Sequence, residues 1–178
     1  MDIIEGILTR RSIRAFDASK KVSKSDIEKL IRAAQYAPSA HNKQEWEFIV
    51  IEDDEKKAGL RQIQPWTSFA KDASCVIVIC SNENETFSRN KDDEKWSYGE
   101  IDGALAAQNL MLAAHSMGIG TCFCGAAPMP RVVEGLQEYL SLPNYIRPIA
   151  IIVVGYAQGE VKQPSDRYNP DRIHWEKW

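Results

Sequence analysis

The stretch that decides the fold, residues 101–121, reads Ile-Asp-Gly-Ala-Leu-Ala-Ala-Gln-Asn-Leu-Met-Leu-Ala-Ala-His-Ser-Met-Gly-Ile-Gly-Thr. Its apolar residues point in every direction around a 3.6-residue period instead of forming one stripe. Such a helix must be covered on all sides, and Asp102, Gln108 and His115 interrupt it too often for a membrane span. The stretch therefore predicts a buried helix that packs either inside a three-layer domain or against a second copy of the chain.

Length and charge narrow the class of protein. A chain of 178 residues is long enough to form one domain with a substantial core. A net charge of -3 and a pI near 5.7 argue against nucleic-acid or anionic-membrane binding, which requires a basic surface. The first residues lack the basic start and apolar centre of a signal peptide, so we expect a cytoplasmic protein. We expect the cysteines to be small buried hydrophobic residues: Cys75, Cys80, Cys122 and Cys124.

Helices and strands are intermixed along the rest of the chain. Ser25 and Glu28 form a predicted capping box at the start of the second helix. Residues 81–97 are polar, and we expect a variable segment there that borders a substrate site. This order predicts a sheet between helices in one α+β domain, followed by a tail, residues 158–178, that docks on a surface. Apolar patterning predicts helices over residues 1–9, 25–37, 53–64 and 131–140, and strands over residues 46–51, 75–80, 121–126 and 148–155.

Three arginines lie within five residues, at Arg10, Arg11 and Arg14, with Ser12 between them. A guanidinium group presents a planar fork that pairs with two oxygen atoms at once, which suits a phosphate. The same arginines would also suit the solvated C-terminal end of the first helix, where the helix dipole favours cations. From these residues alone, both interpretations stand.

Other motifs exclude several chemistries. The three histidines lie far apart, and Cys122-Phe-Cys124 lacks the spacing of a zinc motif, so we expect no metal. The sequence contains no glycine-rich dinucleotide motif, no triphosphate-binding loop and no nucleophile elbow. Residues 38–44 form a polar loop between a predicted helix and a predicted strand, where ligand contacts are common.

Four segments taken together resemble the flavin-dependent nitroreductase family. They are Arg10-Arg-Ser-Ile-Arg-Ala-Phe16, Pro38-Ser-Ala-His-Asn-Lys-Gln-Glu-Trp-Glu-Phe48, Asp102-Gly-Ala-Leu-Ala-Ala-Gln-Asn-Leu110 and Gly118-Ile-Gly-Thr-Cys122. Their order and spacing match along most of the chain, which is similar to the short members of the family. Glu45 departs from the pattern, because the family usually has proline after the glutamine.

The resemblance implies an α/β/α sandwich with a central mixed sheet, forming an intertwined homodimer. Two FMN sites would lie at the subunit interface, and the whole chain, residues 1–178, would be a single domain whose tail docks on the partner subunit. The implied cofactor-binding residues are Arg10, Arg11, Ser12, Arg14, Pro38, Ser39, Ala40, Asn42, Cys124, Gly125 and Arg167.

The resemblance also implies which part of the cofactor each of these residues binds. Arg10, Arg11, Ser12 and Arg14 would hold the FMN phosphate and ribityl chain, and Arg14 would also reach the pyrimidine edge of the flavin. The partner subunit would contribute Pro38, Ser39, Ala40 and Asn42. The backbone N–H groups of Cys124 and Gly125 would point at flavin N5 and O4. Arg167 matches a second phosphate-binding arginine of the family, with Arg172 as a nearby rival.

The implied activity is oxidoreduction. NAD(P)H would pass a hydride to flavin N5, and a nitroaromatic, quinone or similar conjugated compound would then take the electrons in a ping-pong cycle. This chemistry needs no catalytic side chain. Alternatives are a specialised flavin enzyme of the same fold, such as one that dehalogenates or reduces a metabolite or breaks down flavin, a non-catalytic flavin-binding redox sensor, and an interaction module without cofactor. The sequence does not distinguish NADH from NADPH.

Overall fold

The computed structural model describes residues 2–87 and 97–178. Residues 88–96 of the predicted variable segment therefore lie outside the described residues, and Ser81 and Asn82 belong to a strand instead of a loop. Short 3-10 helices cover Ala40–Asn42, Pro65–Asp72 and Pro170–Arg172. No helix among the described residues is long and apolar enough to cross a membrane. The main elements are α1 (Ile3–Thr9), α2 (Lys24–Ala34), β1 (Trp46–Ile51), α3 (Asp54–Ile63), β2 (Cys75–Asn82), α4 (Gly99–Ser116), β3 (Gly120–Gly125), α5 (Pro130–Tyr139) and β4 (Ile146–Gly155).

The sheet has the strand order β1-β2-β4-β3, and all neighbouring strands are antiparallel. The prediction of a mixed sheet is therefore wrong for these four strands. The parallel pairing that the described residues do contain is the isolated bridge between Ser12 and Thr121. The central strands β2 and β4 are buried almost from end to end, as their continuous apolar runs predict.

Helices cover both faces of the sheet, which confirms the α+β sandwich. On one face, Ile77 and Ile79 pack with residues of α2 and α4. On the other face, Val76 and Val78 pack with residues of α3 and α5. Each fully buried aliphatic side chain contributes about 1.5–3 kcal/mol to folding, so the two cores together provide most of the stability.

Helix α2 begins two residues earlier than the predicted capping box. Its N-cap is Ser23, whose hydroxyl accepts from Asp26 N–H at 3.1 Å and donates to Asp26 Oδ2 at 2.7 Å. Val22, before the cap, and Ile27, four residues after it, both lie in the same core cluster. This hydrophobic pair fixes the entry of the chain into the helix, and it requires the cap to be Ser23 instead of Ser25.

Helix α4 packs against the sheet with one side only. Gly103 lies so close to Ile149 of β4 that an added Cβ would meet the isoleucine side chain at 3.0 Å. The helix ends before Gly118, whose φ of +72° forms the left-handed C-terminal cap. On the other side, Ile101 and Leu105 are 55% and 40% exposed. The described part of the chain therefore leaves half of this apolar helix uncovered.

Candidate functional site

The arginine segment runs from the end of α1 along the outer edge of β3. Ser12 forms its bridge with Thr121, and Ile13 N–H donates to Thr121 O at 2.8 Å. Phe16 then pairs with Ala157, just after β4. These backbone contacts fix the positions from which the predicted phosphate-binding side chains extend.

Arg10 and Arg11 are half-buried, whereas Arg14 and Arg167 are exposed, and the pKa of Arg10 is shifted. Burial lowers its pKa first, the positive charges of Arg167 and Arg11 lower it further, and Cys122 opposes them. None of these three arginines lies within 4 Å of a carboxylate in the described residues. A cluster of cations without counter-ions is costly to assemble, and an anionic ligand would relieve that cost.

A cavity of about 600 Å³ separates the end of α1 from the tail. Arg10 lies on the α1 side of this cavity, and Arg167 lies on the tail side. A second cavity of about 290 Å³ adjoins it and is lined by Arg10, Arg11 and His115. Arg14 lies beside a third space of about 230 Å³ together with Arg11 and Ser12. The fold thus brings together the N-terminal arginines and Arg167, and it is Arg167, not the rival Arg172, that acts on the charge of Arg10.

The polar loop at residues 38–44 is held to the start of α4. Ala40 N–H donates to Asp102 Oδ2 at 2.9 Å, and Gln44 N–H donates to Ser39 Oγ at 3.0 Å. The loop also contains left-handed residues that are not glycine, namely His41, Asn42 and Gln44. Such conformations persist only where surrounding contacts enforce them, which is typical of functional loops.

Within one chain, this loop and the arginines lie at opposite ends of α4. The loop contacts Asp102, whereas Thr9, next to Arg10, contacts His115 at 2.9 Å. Thirteen residues of helix separate Asp102 from His115, a distance of about 20 Å. A single chain therefore does not bring the two halves of the predicted site together.

Strand β3 offers backbone donors at its outer edge. Ala126 N–H donates to Ile149 O at 3.0 Å, in continuation of the β3–β4 register. N–H groups alternate in direction along such a strand, so the Cys124 N–H faces β4 and the Gly125 N–H faces the open edge. Gln64 Nε2 donates to Gly125 O at 2.7 Å and holds this residue in place. The Gly125 N–H is thus the donor of this pair that remains available to a ligand.

All four cysteines are buried and free, as the sequence predicts. Burial raises the pKa of Cys75 and of Cys80 to about 12. The pKa of Cys122 is instead lowered to about 7, first by a hydrogen bond from Cys124 and then by the charges of Arg14 and Arg10. Cys122 is 1% exposed, so this thiol lies beneath the arginine segment and out of reach of bulk solvent.

Three contributors to this region are not among the site residues predicted from the sequence. Gln64, Asp102 and His115 are polar residues within otherwise ordinary helical or turn segments, and only the fold shows what each contacts. Over residues 2–87 and 97–178, no group of three or more His, Cys, Asp or Glu side chains converges as metal ligands would.

Comparison with known proteins finds sequences that are similar to this one along the whole chain. A family model described as "Nitroreductase family" matches residues 7–68 and 64–156. A curated relative from Methanothermobacter thermautotrophicus, named "Putative NADH dehydrogenase/NAD(P)H nitroreductase", is 36% identical over 178 residues, covering 100% of this chain and 88% of the relative. These matches include the arginine segment, the polar loop, α4 and β3.

Two further proteins carry a cofactor in their names. The solved structure of an FMN-dependent nitroreductase from Clostridium difficile R20291 is 28% identical, with a TM-score of 0.85 over 98% of this chain and 99% of that one. A Bacillus subtilis relative named FMN reductase (NADPH) is 29% identical over 164 residues, which are 86% of this chain and 65% of the relative. The similarity therefore extends to both sequence and fold.

Proposed function

Because the chain belongs to the nitroreductase family and is an NAD(P)H-dependent oxidoreductase, we propose that two copies of it bind FMN between them and reduce a small conjugated acceptor. The observation that carries this proposal is the group of arginines around the cavity between α1 and the tail, none of which forms a salt bridge with a carboxylate of the described residues. The names of the FMN-dependent relatives support the choice of cofactor.

The phosphate end of the cofactor is assigned to the arginines. Arg10 and Arg167 approach it from the two walls of the cavity, and Arg11, Ser12 and Arg14 continue the donor surface along β3. Guanidinium groups pair with phosphate oxygens two at a time, and the repulsion among the arginines is relieved when the anion binds.

The other end of the cofactor is assigned to the open edge of β3 and to a loop of the partner subunit. Thr121 and Gly125 are four residues apart, or roughly 13 Å along the strand. Gly125 N–H at the far end suits the polar edge of an isoalloxazine ring. Pro38, Ser39, Ala40 and Asn42 complete the site from the partner, since their own chain holds them far from Arg10.

The exposed side of α4 supports a dimer in which each chain contributes its polar loop to the site of the other. Ile101, Leu105 and Leu112 form an apolar stripe at helical spacing, with Gln108 at its centre. An antiparallel pair of α4 helices centred on Gln108 would place the partner's Asp102 beside the His115 end of this chain. A dimer with this two-fold symmetry would bury the stripe and bring the polar loop of each chain next to the arginine segment of the other chain. The tail, with its exposed tryptophans, would dock on the same partner.

Bound FMN would supply two-electron chemistry, taking a hydride from NAD(P)H at N5 and passing electrons to a nitroaromatic, quinone or similar acceptor in a ping-pong cycle. The chain's own contribution is binding and electrostatics. In this proposal Arg10, Arg11 and Arg167 hold the anionic end, the Gly125 N–H orients the ring edge, and Arg14 would stabilise negative charge near the ring. No side chain is required as an acid or base.

The test combines three measurements on purified protein supplied with FMN. We expect a flavin spectrum, a solution mass of two chains, and steady oxidation of NADH or NADPH with a nitroaromatic or quinone acceptor. Arg167→Ala should weaken FMN affinity about tenfold or more, because a charge-assisted contact is worth about 1.5–3 kcal/mol. Arg172→Ala, the matched control five residues further along the tail, should change FMN affinity less than about threefold. A colourless monomer, or flavin that NAD(P)H does not reduce, would refute the proposal.

A further inference from the structure

Glu45 is a buried carboxyl group at the start of β1. Glu45 is 1% exposed, Thr86 Oγ1 donates to its Oε1 at 3.0 Å, and no donor among the described residues reaches its Oε2. The neighbouring carboxyl group is that of Asp102, which is 2% exposed and acts on Glu45 through its charge and as a hydrogen-bonding neighbour. Two carboxyl groups that touch in a buried site cannot both be ionised without a large electrostatic cost.

We propose that Glu45 and Asp102 share one proton, and that this acid–carboxylate pair fixes residues 39–44 in the conformation that the cofactor contacts. Asp102 is the carboxylate, because its Oδ2 accepts the Ala40 N–H at 2.9 Å. Glu45 is the acid, because Oε1 already accepts from Thr86 and Oε2 is free to carry the proton. The role in cofactor binding rests on the function proposed above.

The loop needs such a support. His41, Asn42 and Gln44 have φ values of 53°, 54° and 55°, in the left-handed region that side chains rarely adopt. Each such residue costs of order 1–3 kcal/mol, which contacts elsewhere must offset. The Ala40–Asp102 hydrogen bond ties this strained loop to α4, so the position of the Asp102 carboxylate sets the position of the loop. Glu45 acts through Asp102 and is a positioning residue.

The charges around Glu45 favour its neutral form. Burial raises its pKa first, and the contact with Asp102 raises it further, while its own backbone N–H and Thr86 oppose them. No lysine, arginine or histidine of the described residues lies in salt-bridge contact with it. The arginine at this end of the sheet, Arg147, is paired with Glu100 on α4.

The direction of the pH effect follows from the raised pKa. Below the ordinary pKa of a glutamate, folded and unfolded chains both hold the proton, and the pair contributes fully to stability. As the pH rises, the unfolded chain loses the proton first, and stability falls until the folded chain loses it too. Once Glu45 ionises, its repulsion from Asp102 loosens the hold on Ala40. FMN affinity should fall over the same range.

The first measurement detects the proton itself. Infrared difference spectra of the purified protein across a pH titration should show the carbonyl stretch of a protonated carboxylic acid at neutral pH. Glu45→Gln should remove this band. In Asp102→Asn, the band should disappear at a lower pH than in the wild type, because a neutral neighbour no longer opposes the ionisation of Glu45. Glu47→Gln, on the exposed neighbour in the same strand, should leave the band unchanged.

The second measurement follows FMN affinity. The phosphate of FMN titrates as well, so the quantity to compare is the ratio of the Glu45→Gln and wild-type affinities at each pH. A glutamine keeps an acceptor for Thr86 and a donor for Asp102 but cannot ionise. The two proteins should agree within about threefold at pH 5, and the variant should bind about tenfold or more tightly at pH 9, since each unit of pKa shift corresponds to tenfold.

Two results would overturn the inference: a wild-type spectrum without the acid band at neutral pH, and an affinity ratio that stays constant with pH. Failure of the cofactor assignment has a different signature. A protein that binds no FMN at any pH refutes the proposed function, while the infrared band still reports whether Glu45 and Asp102 share a proton.

Discussion

Thr9 Oγ1 lies 2.9 Å from His115 Nε2, and this contact joins the end of α1 to the end of α4 beside Arg10. The Thr9 hydroxyl also donates to Glu5 O at 2.7 Å, which uses its only proton. His115 must therefore donate to Thr9 from Nε2–H. This assignment, drawn from the hydrogen-bond network, fixes one tautomer of the imidazole next to the proposed phosphate site.

His115→Gln should reduce the loss of stability at acidic pH. Burial and then Arg10 lower the pKa of His115, with Glu5 in opposition, so the folded chain binds a proton less readily than the unfolded chain. As the pH falls below about 6.5, the wild-type free energy of unfolding should decrease until the folded pKa is passed. Glutamine keeps the donor to Thr9 and cannot titrate. Urea unfolding at about pH 7 and about pH 5 gives the free energy of unfolding of each protein at both pH values. An equal decrease in both proteins between the two pH values would contradict the assignment.

Arg10→Ala should weaken FMN retention far more than Cys124→Ala. The arginine contact is charge-assisted, and its loss should cost roughly ten- to a hundredfold in affinity. Truncation of the Cys124 side chain leaves its backbone in the sheet. Fluorescence titration of the apoproteins with FMN gives both constants. Equal losses would show that the cysteine side chain, not the backbone beside it, is part of the site.

Leu105→Glu should convert the proposed dimer into a monomer. Leu105 belongs to the apolar stripe on α4, next to its centre at Gln108, and is 40% exposed in the isolated chain. A carboxylate there would have to be desolvated without a partner in the proposed α4 pair. Tyr145→Glu, at a similarly exposed aromatic residue in the loop before β4, is the matched control and should leave the solution mass unchanged. A dimeric Leu105→Glu protein would exclude this face as the interface.

Cys124→Ala should raise the pKa of Cys122. The hydrogen bond from Cys124 is the largest cause that lowers the Cys122 pKa to about 7, ahead of the nearby arginines. Ultraviolet absorbance of the thiolate across a pH titration should show a transition near neutrality that disappears in Cys122→Ser and moves upward in Cys124→Ala. Cys75 and Cys80, with pKa values of about 12, should not contribute there. An unchanged transition in Cys124→Ala would assign the effect to Arg14 and Arg10.

The sequence could predict what depends on local periodicity. The apolar runs over 75–80 and 148–155 correctly indicated β2 and β4, because strands covered on both faces need no polar positions. The α2 cap was misplaced, since two serines precede acidic residues and only the burial of Val22 and Ile27 decides between them.

Long-range geometry could not be predicted from the residues alone. Arg10 and Arg167 lie at opposite ends of the chain, and their interaction depends on how the tail returns past α1. Glu45 and Asp102 meet because β1 begins beneath α4, a fact that no periodicity encodes. The strand directions were equally hidden, because buried runs of isoleucine and valine look alike in parallel and antiparallel sheets.

The half-covered edge of β3 has a consequence for the handling of this protein. Ser12 and Ile13 occupy the edge at Thr121, but no strand among residues 2–87 and 97–178 lies beside the backbone from Phe123 to Gly125 on the outer side. Unpaired strand backbone is a template for stacking between chains, and Phe123 adds an aromatic surface that is 39% exposed. Expression without sufficient flavin should therefore favour precipitation, since the stretch of sheet most prone to self-association is the one assigned to the ligand.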